Sequence, residues 1–172
     1  MACIRADSIA NGVERLTLAA ITRRPTLRFI LALRVAEWLT GSKSAFAKLA
    51  APISRAYLLR VSVRLGFSIP LNVCGPGLAL PHWGSIVISA HARIGRNVRI
   101  HSGVNVGGTP NNAPVVGDDS YLGPGAKLFG PIKLGDGCIV GANAVVTKSF
   151  PAGSVLVGVP ARVTRVRLEG LE

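Results

Sequence analysis

The sequence predicts a mostly β chain, a parallel solenoid of short strands behind a short N-terminal α-helical segment. Three observations predict it. Aliphatic residues recur six apart at Ile88, Ile94, Ile100 and Val106, and again at Val116, Leu122, Leu128, Leu134, Val140 and Val146. A small or aliphatic residue stands four positions after most of them, at Ala92, Val98, Val104, Ser120, Ala126, Ile132, Cys138 and Ala144. Before Gly66 this period is absent and the segments read as helices. A fixed short repeat marks a solenoid, in which each unit buries its face only against the next.

In chain order, residues 1–65 form the helical segment, 66–163 the solenoid and 164–172 a tail. "PTLRFILALRVAEWLTG" reads as a helix with Pro25 near its start and Gly41 just past its end. "KSAFAKLAAPISRAYLLRVSVRLG" reads as a second helical stretch, broken or kinked near Pro52. Both are apolar and thin in charge, so they need a partner surface, and packing within the protein is favoured over a neighbouring subunit or a membrane face. The uncharged run from Leu65 to Ala92 is long enough to suggest a membrane span. Gly66, Pro70, Gly75, Pro76, Gly77, Pro81 and Gly84 forbid it, because broken backbone is not tolerated against lipid.

Composition narrows the function classes. At 172 residues the chain can bury a real core. Its formal charge of +12 invites a nucleic-acid reading. The excess is scattered, with 11 basic and 3 acidic residues in 1–65 and 9 and 5 in the remainder, and only nine aromatics are present to stack bases. No nucleic-acid partner is expected; an anionic cofactor, an anionic substrate or an acidic membrane surface fits better. Cys3, Cys74 and Cys138 lie far apart, which suggests neither a disulfide framework nor a zinc site. "MACIRADSIANGVERL" carries charge where a signal peptide needs an apolar core, so a cytoplasmic location is expected.

Within the solenoid each hexad supplies a short strand with one inward aliphatic residue, a second small inward residue and a corner, where Gly95, Gly107, Gly117, Gly123, Gly135 or Gly141 permits tight turning. The register breaks twice. Leu80 to Ile88 spans eight residues and Val106 to Val116 spans ten, so extra chain bulges out in "PHWGS" and "GGTPNNAP". Loops inserted into a rigid scaffold are where sites are usually built.

The repeat resembles the hexapeptide signature of the left-handed parallel β-helix acyltransferases, and the handedness is implied by that resemblance alone. "RVAEWL", "LPHWGSIVIS", "ARIGRNVRI", "VNVGGT", "GPGAKLFGPIKLGDGCIVGANAVVTKSFPAGSV" and "VGVPARV" sharpen it, over about residues 25–163, to the serine acetyltransferase branch with its short relatives that acetylate polysaccharides. The resemblance implies an acetyl-CoA-dependent O-acetyltransferase without a metal, a homotrimer, and His82 as the general base that takes the acceptor hydroxyl's proton. It implies a CoA groove between subunits, with Gly107, Gly108, Thr109, Gly123, Gly141 and Ala142 along the pantetheine and Lys148 and Arg162 toward the phosphates. His91 and His101 fall within regular hexads and are expected to be solvated. The zinc-binding γ-carbonic anhydrase relatives have an HxxxxH pair that this chain lacks.

The departures from that family concern the acceptor. The aspartate before the catalytic histidine is replaced by Pro81, the histidine of the second loop by Ala113, and the aspartate that orients the imidazole finds its nearest match in Ser68. Trp83 closes over the acceptor or caps the coil, and Asn111 and Asn112 stand ready to bind it. Losing both partners of an amino acid's charges predicts a saccharide acceptor and a place in polysaccharide biosynthesis. A serine O-acetyltransferase of cysteine biosynthesis is the alternative, and a non-catalytic trimeric scaffold the alternative of another class. The basic helices suit contact with an anionic membrane surface.

Overall fold

The structure is a computed structural model and describes residues 2–166. Four helices come first: α1 (Ala2–Ala10), α2 (Leu18–Arg23), α3 (Pro25–Gly41) and α4 (Ala45–Leu65). Pro25 opens α3 with its φ already helical and no N–H to strand. Leu27, Phe29, Ile30, Leu33 and Ala36 turn one side of α3 into core, and the Phe29 ring meets Phe67 edge-on at 4.8 Å. Gly41, expected just past the end, is the last residue of α3. Helix α4 runs unbroken through Pro52, contrary to the expected break. Proline strands one ladder carbonyl, that of Lys48, whose exposed position leaves it to water. Gly66 then caps α4 at φ +75°, the left-handed geometry that ends a helix cheaply only at glycine.

The strands are β1 (Phe67–Ser68), β2 (Ile86–Ile88), β3 (Arg93–Ile94), β4 (Arg99–Ile100), β5 (Asn105–Gly107), β6 (Val115–Val116), β7 (Tyr121–Leu122), β8 (Lys127–Phe129), β9 (Lys133–Leu134), β10 (Ile139–Val140), β11 (Val145–Val146), β12 (Ser154–Val157) and β13 (Arg162–Val166). They stack in parallel into three faces, β1-β2-β5-β8-β11, β3-β6-β9 and β4-β7-β10-β12, with β13 folding back antiparallel on β12. The register aligns the recurring aliphatics into columns: Ile88, Val106, Leu128 and Val146; Ile94, Val116 and Leu134; Ile100, Leu122 and Val140. All ten are buried, as are all eight of the second inward set from Ala92 to Ala144. Residues 164–166 continue β13 instead of starting a tail, and the rest of the expected tail, 167–172, lies outside the described residues.

The first coil has no coil beneath it, and polar side chains of α1 and α3 take that place. Asp7 accepts the N–H groups of Gly77 and Leu78 at 2.7 and 2.9 Å. Asn11 donates to the Leu78 carbonyl and accepts from the Leu80 N–H, at 2.8 and 2.9 Å. Arg34 donates to the carbonyls of Cys74 and Gly75 and pairs with Asp7 at 2.7 Å, while Glu37 accepts from the Asn72 N–H and from Arg34. Burial works to lower the Arg34 pKa, but its hydrogen bonds to Asp7 and Glu37 and their charges outweigh that and raise it. Burial also pushes the Cys74 thiol up to about 12 and raises that of Cys138, so neither serves as a nucleophile.

Arg34→Ala should cost about 3–5 kcal/mol, because the fully buried Asp7 carboxylate loses its partner. Thermal unfolding of the variant against wild type measures this, and a shift within error of zero would refute the assigned role.

Candidate active site

His82 sits in the first inserted loop, and the helices hold that loop at both ends. On one side the Leu80 N–H is fixed by Asn11; on the other Gly84 N–H donates to the Leu65 carbonyl at 2.9 Å and Ile86 N–H to Gly66 at 3.0 Å. Between these anchors the loop turns outward and exposes His82 and Trp83. Gly84, at φ +130°, makes a turn that few side-chain-bearing residues adopt.

Three rings climb successive coils at this corner. The centroid of His82 is 5.9 Å from that of His101, which is 5.0 Å from that of Tyr121. His101 was expected to be solvated; instead it is half-buried between the other two rings, because coil stacking puts residues 19 and 20 apart in contact. Burial, followed by the nearby His82 and Arg99, lowers its pKa below the ordinary histidine value. A neutral ring therefore backs His82, which is exposed and open to a reacting hydroxyl.

Beside this corner a cavity of about 450 Å³ opens between the helical segment and the first coils. Pro81 and Trp83, the chain neighbours of His82, line one wall, with Arg99 beside them; Arg23, Arg24 and Thr26 line the other. Trp83 is 63% exposed, a wall of the cavity and not a cap inside the coil.

The other expected site residues divide. Ser68 pairs with Val87 on the first face, and no hydrogen bond joins it to His82 among the described residues. Gly123, Gly141 and Ala142 lie on the same edge of the solenoid as His82, in the column above His101, and Arg162 stands opposite Val157 over it. A Cβ on Gly123 would come 2.7 Å from the Val140 carbonyl, so that glycine is required by coil stacking whatever else it does. Gly107, Gly108, Thr109, Asn111 and Asn112 lie on the next edge, across the first face, where the second loop closes as a tight turn between Thr109 and Asn112. Lys148 is exposed on that same edge. One chain does not bring the two groups together. Among the described residues no three His, Cys, Asp or Glu side chains form a group able to hold a metal ion.

Residues 113–148 match the model of the bacterial transferase hexapeptide, six repeats. Over 164 residues the chain is 34% identical to the serine acetyltransferase of Mycobacterium tuberculosis, an alignment covering 93% of this chain and 69% of that one. The chain belongs to the serine acetyltransferase family. It is thereby one of the acetyl-CoA acyltransferases, and its solenoid is a left-handed β-helix. The crystal structure of the Neisseria gonorrhoeae serine acetyltransferase superposes with a TM-score of 0.75 at 25% identity, covering 97% of this chain and 66% of that one. A serine acetyltransferase in complex with CoA superposes with a TM-score of 0.73 at 27% identity, covering 95% and 67%. The chain thus spans about two thirds of the length of these family members.

The sequence reading missed Asn11, Tyr121 and the three arginines of the cavity. Stacking the chain at its coil length, which sets Ala79 beside Arg99 and Arg99 beside Tyr121, is the signal that finds Arg99 and Tyr121.

His101 gives a pH test. Its folded pKa is depressed, so as pH falls below about 6.5 the unfolded chain takes up a proton that the folded chain resists, and stability is lost. Between pH 7.5 and 5.5 the melting temperature of wild type should fall more steeply than that of His101→Gln; parallel curves would remove the burial argument.

Proposed function

We propose that this chain transfers acetyl from acetyl-CoA to the hydroxyl of a small acceptor, with L-serine the acceptor its relatives point to. The observation that carries the reading is His82, held outward by an anchored loop beside a cavity and backed by a neutral ring. A neutral imidazole takes the proton as the acceptor oxygen attacks the thioester carbonyl, and returns it to the departing CoA thiolate. Anchoring the loop holds this geometry before substrate arrives. The split of the cofactor residues between two edges supports a groove shared by neighbouring copies, as a trimer would provide.

A saccharide acceptor, predicted from Pro81 and Ala113, keeps support only from the exposed Trp83 beside the cavity; the relatives above do not carry it. Contact with an anionic membrane surface draws support from α4, where Phe46, Leu49 and Ile53 are exposed near Lys48 and Arg55. Among the described residues no helix is long and apolar enough to cross a membrane.

His82→Ala should lower turnover at least about 100-fold while CoA affinity stays within a factor of about two. The assay is thiol release from acetyl-CoA with L-serine and with a panel of sugars. Background release with every acceptor together with no CoA binding would favour the scaffold; full activity in the variant would move the base elsewhere. Light scattering tests the assembly, and a monomer at micromolar concentration would exclude the shared groove.

A further inference from the structure

The cavity next to His82 is cationic on opposing walls. Arg99 comes from the β-helix, on the strand that leads into His101, while Arg23 and Arg24 come from the end of α2 and the residue that follows it. All three side chains are exposed to solvent, and no acidic residue is among those that line the cavity. The nearest acid in the fold's polar cap, Asp7, is consumed by Arg34 and two backbone N–H groups. Among the described residues, Arg24 alone of the three has a hydrogen-bond partner, the Asn11 carbonyl at 2.7 Å, and a carbonyl does not cancel charge. Thr26, 9% exposed, lines the same wall, and its hydroxyl makes no hydrogen bond among the described residues.

Guanidinium groups that line one cavity repel unless an anion joins them, and each presents a planar fork of donors suited to carboxylate or phosphate oxygens. Pro81 and Trp83 put His82 at the rim of this space. We infer that the cavity is an anion subsite of the acceptor: Arg23, Arg24 and Arg99, with the Thr26 hydroxyl, hold a phosphate or carboxylate of the molecule whose hydroxyl reaches His82. This inference rests on the acyl-transfer reading for its connection to catalysis, but not for the binding itself. Of the small acceptors that reading allows, it favours those of net negative charge over L-serine, whose ammonium would meet three cations and no carboxylate among the residues lining the cavity.

A series of three-carbon hydroxyl compounds separates the possibilities: glycerol 3-phosphate, D-glycerate, L-serine and glycerol, bound to the full chain and followed by calorimetry and tryptophan fluorescence. Glycerol 3-phosphate or D-glycerate should bind at least about 10-fold tighter than glycerol, with L-serine below both anions and the advantage shrinking as salt is raised. The stronger of the two anions identifies phosphate or carboxylate as the group held. In Arg23→Gln/Arg99→Gln that advantage should fall by about 10-fold, with CoA binding and melting temperature unchanged. Anions that bind no tighter than glycerol in wild type, or equally tightly in the double variant, would overturn the subsite. Thiol release is scored separately: activity on L-serine with unchanged KM in the double variant removes the subsite and leaves the function standing. Anion binding without thiol release for any acceptor leaves the subsite and removes the function.

Discussion

A β-helix begins with a coil whose lower edge has no partner, and this molecule solves the problem with side chains. Asp7, Asn11, Arg34 and Glu37 reproduce, from two helices, the donors and acceptors a further coil would have offered. The arrangement involves a buried ion pair, which is expensive to desolvate and repaid only because its remaining lone pairs and protons are also bonded. An apolar cap would cover the end but leave the N–H groups of Gly77, Leu78 and Leu80 unsatisfied. The polar cap also dictates an orientation, since each bond is directional. The position of α1 on the solenoid follows from it.

From that position the active-site corner is built. Asn11 is both the last polar residue of the cap and the anchor of the loop that carries His82, so end-capping and loop placement are one hydrogen-bond system. The turn after α1 and the α2–α3 junction then form the far wall of the cavity. On the near wall the coils supply Arg99, and His101 follows it in the turn after the same strand. The lowered pKa of His101 fits this setting: burial disfavours the charged ring, the nearby His82 and Arg99 add to that, and the neutral ring packs between His82 and Tyr121.

The solenoid was legible in the sequence because its period is short and local: a six-residue rule places every one of the ten aliphatics in the core, and the two loops announce themselves as breaks in it. The cap was not, because Asp7 reaches Arg34 across 27 residues and Gly77 across 70, and no local pattern marks partners that far apart. His101 fell between these cases. Its hexad position correctly placed it on the outside, but outside at a corner means stacked on the corner residues of adjacent coils, a relation visible only once coil length is counted.

The same division separates the two halves of the chemistry. Of the residues expected at the donor, Gly107, Gly108, Gly123 and Gly141 sit where a Cβ would press on a neighbouring coil or loop, so substitution there would disturb the solenoid. The residues proposed to face the acceptor come from the inserted loop, the helical segment and outward positions of strands: Trp83, Arg23, Arg24 and Arg99. None of these four is buried, so substitution there carries little packing cost. A family that shares a donor can therefore change its acceptor by altering charges in this cavity while the coils stay as they are. Pro81, where the resemblance implies an aspartate, beside three arginines lining the same cavity is a change of that kind under the proposed anion subsite.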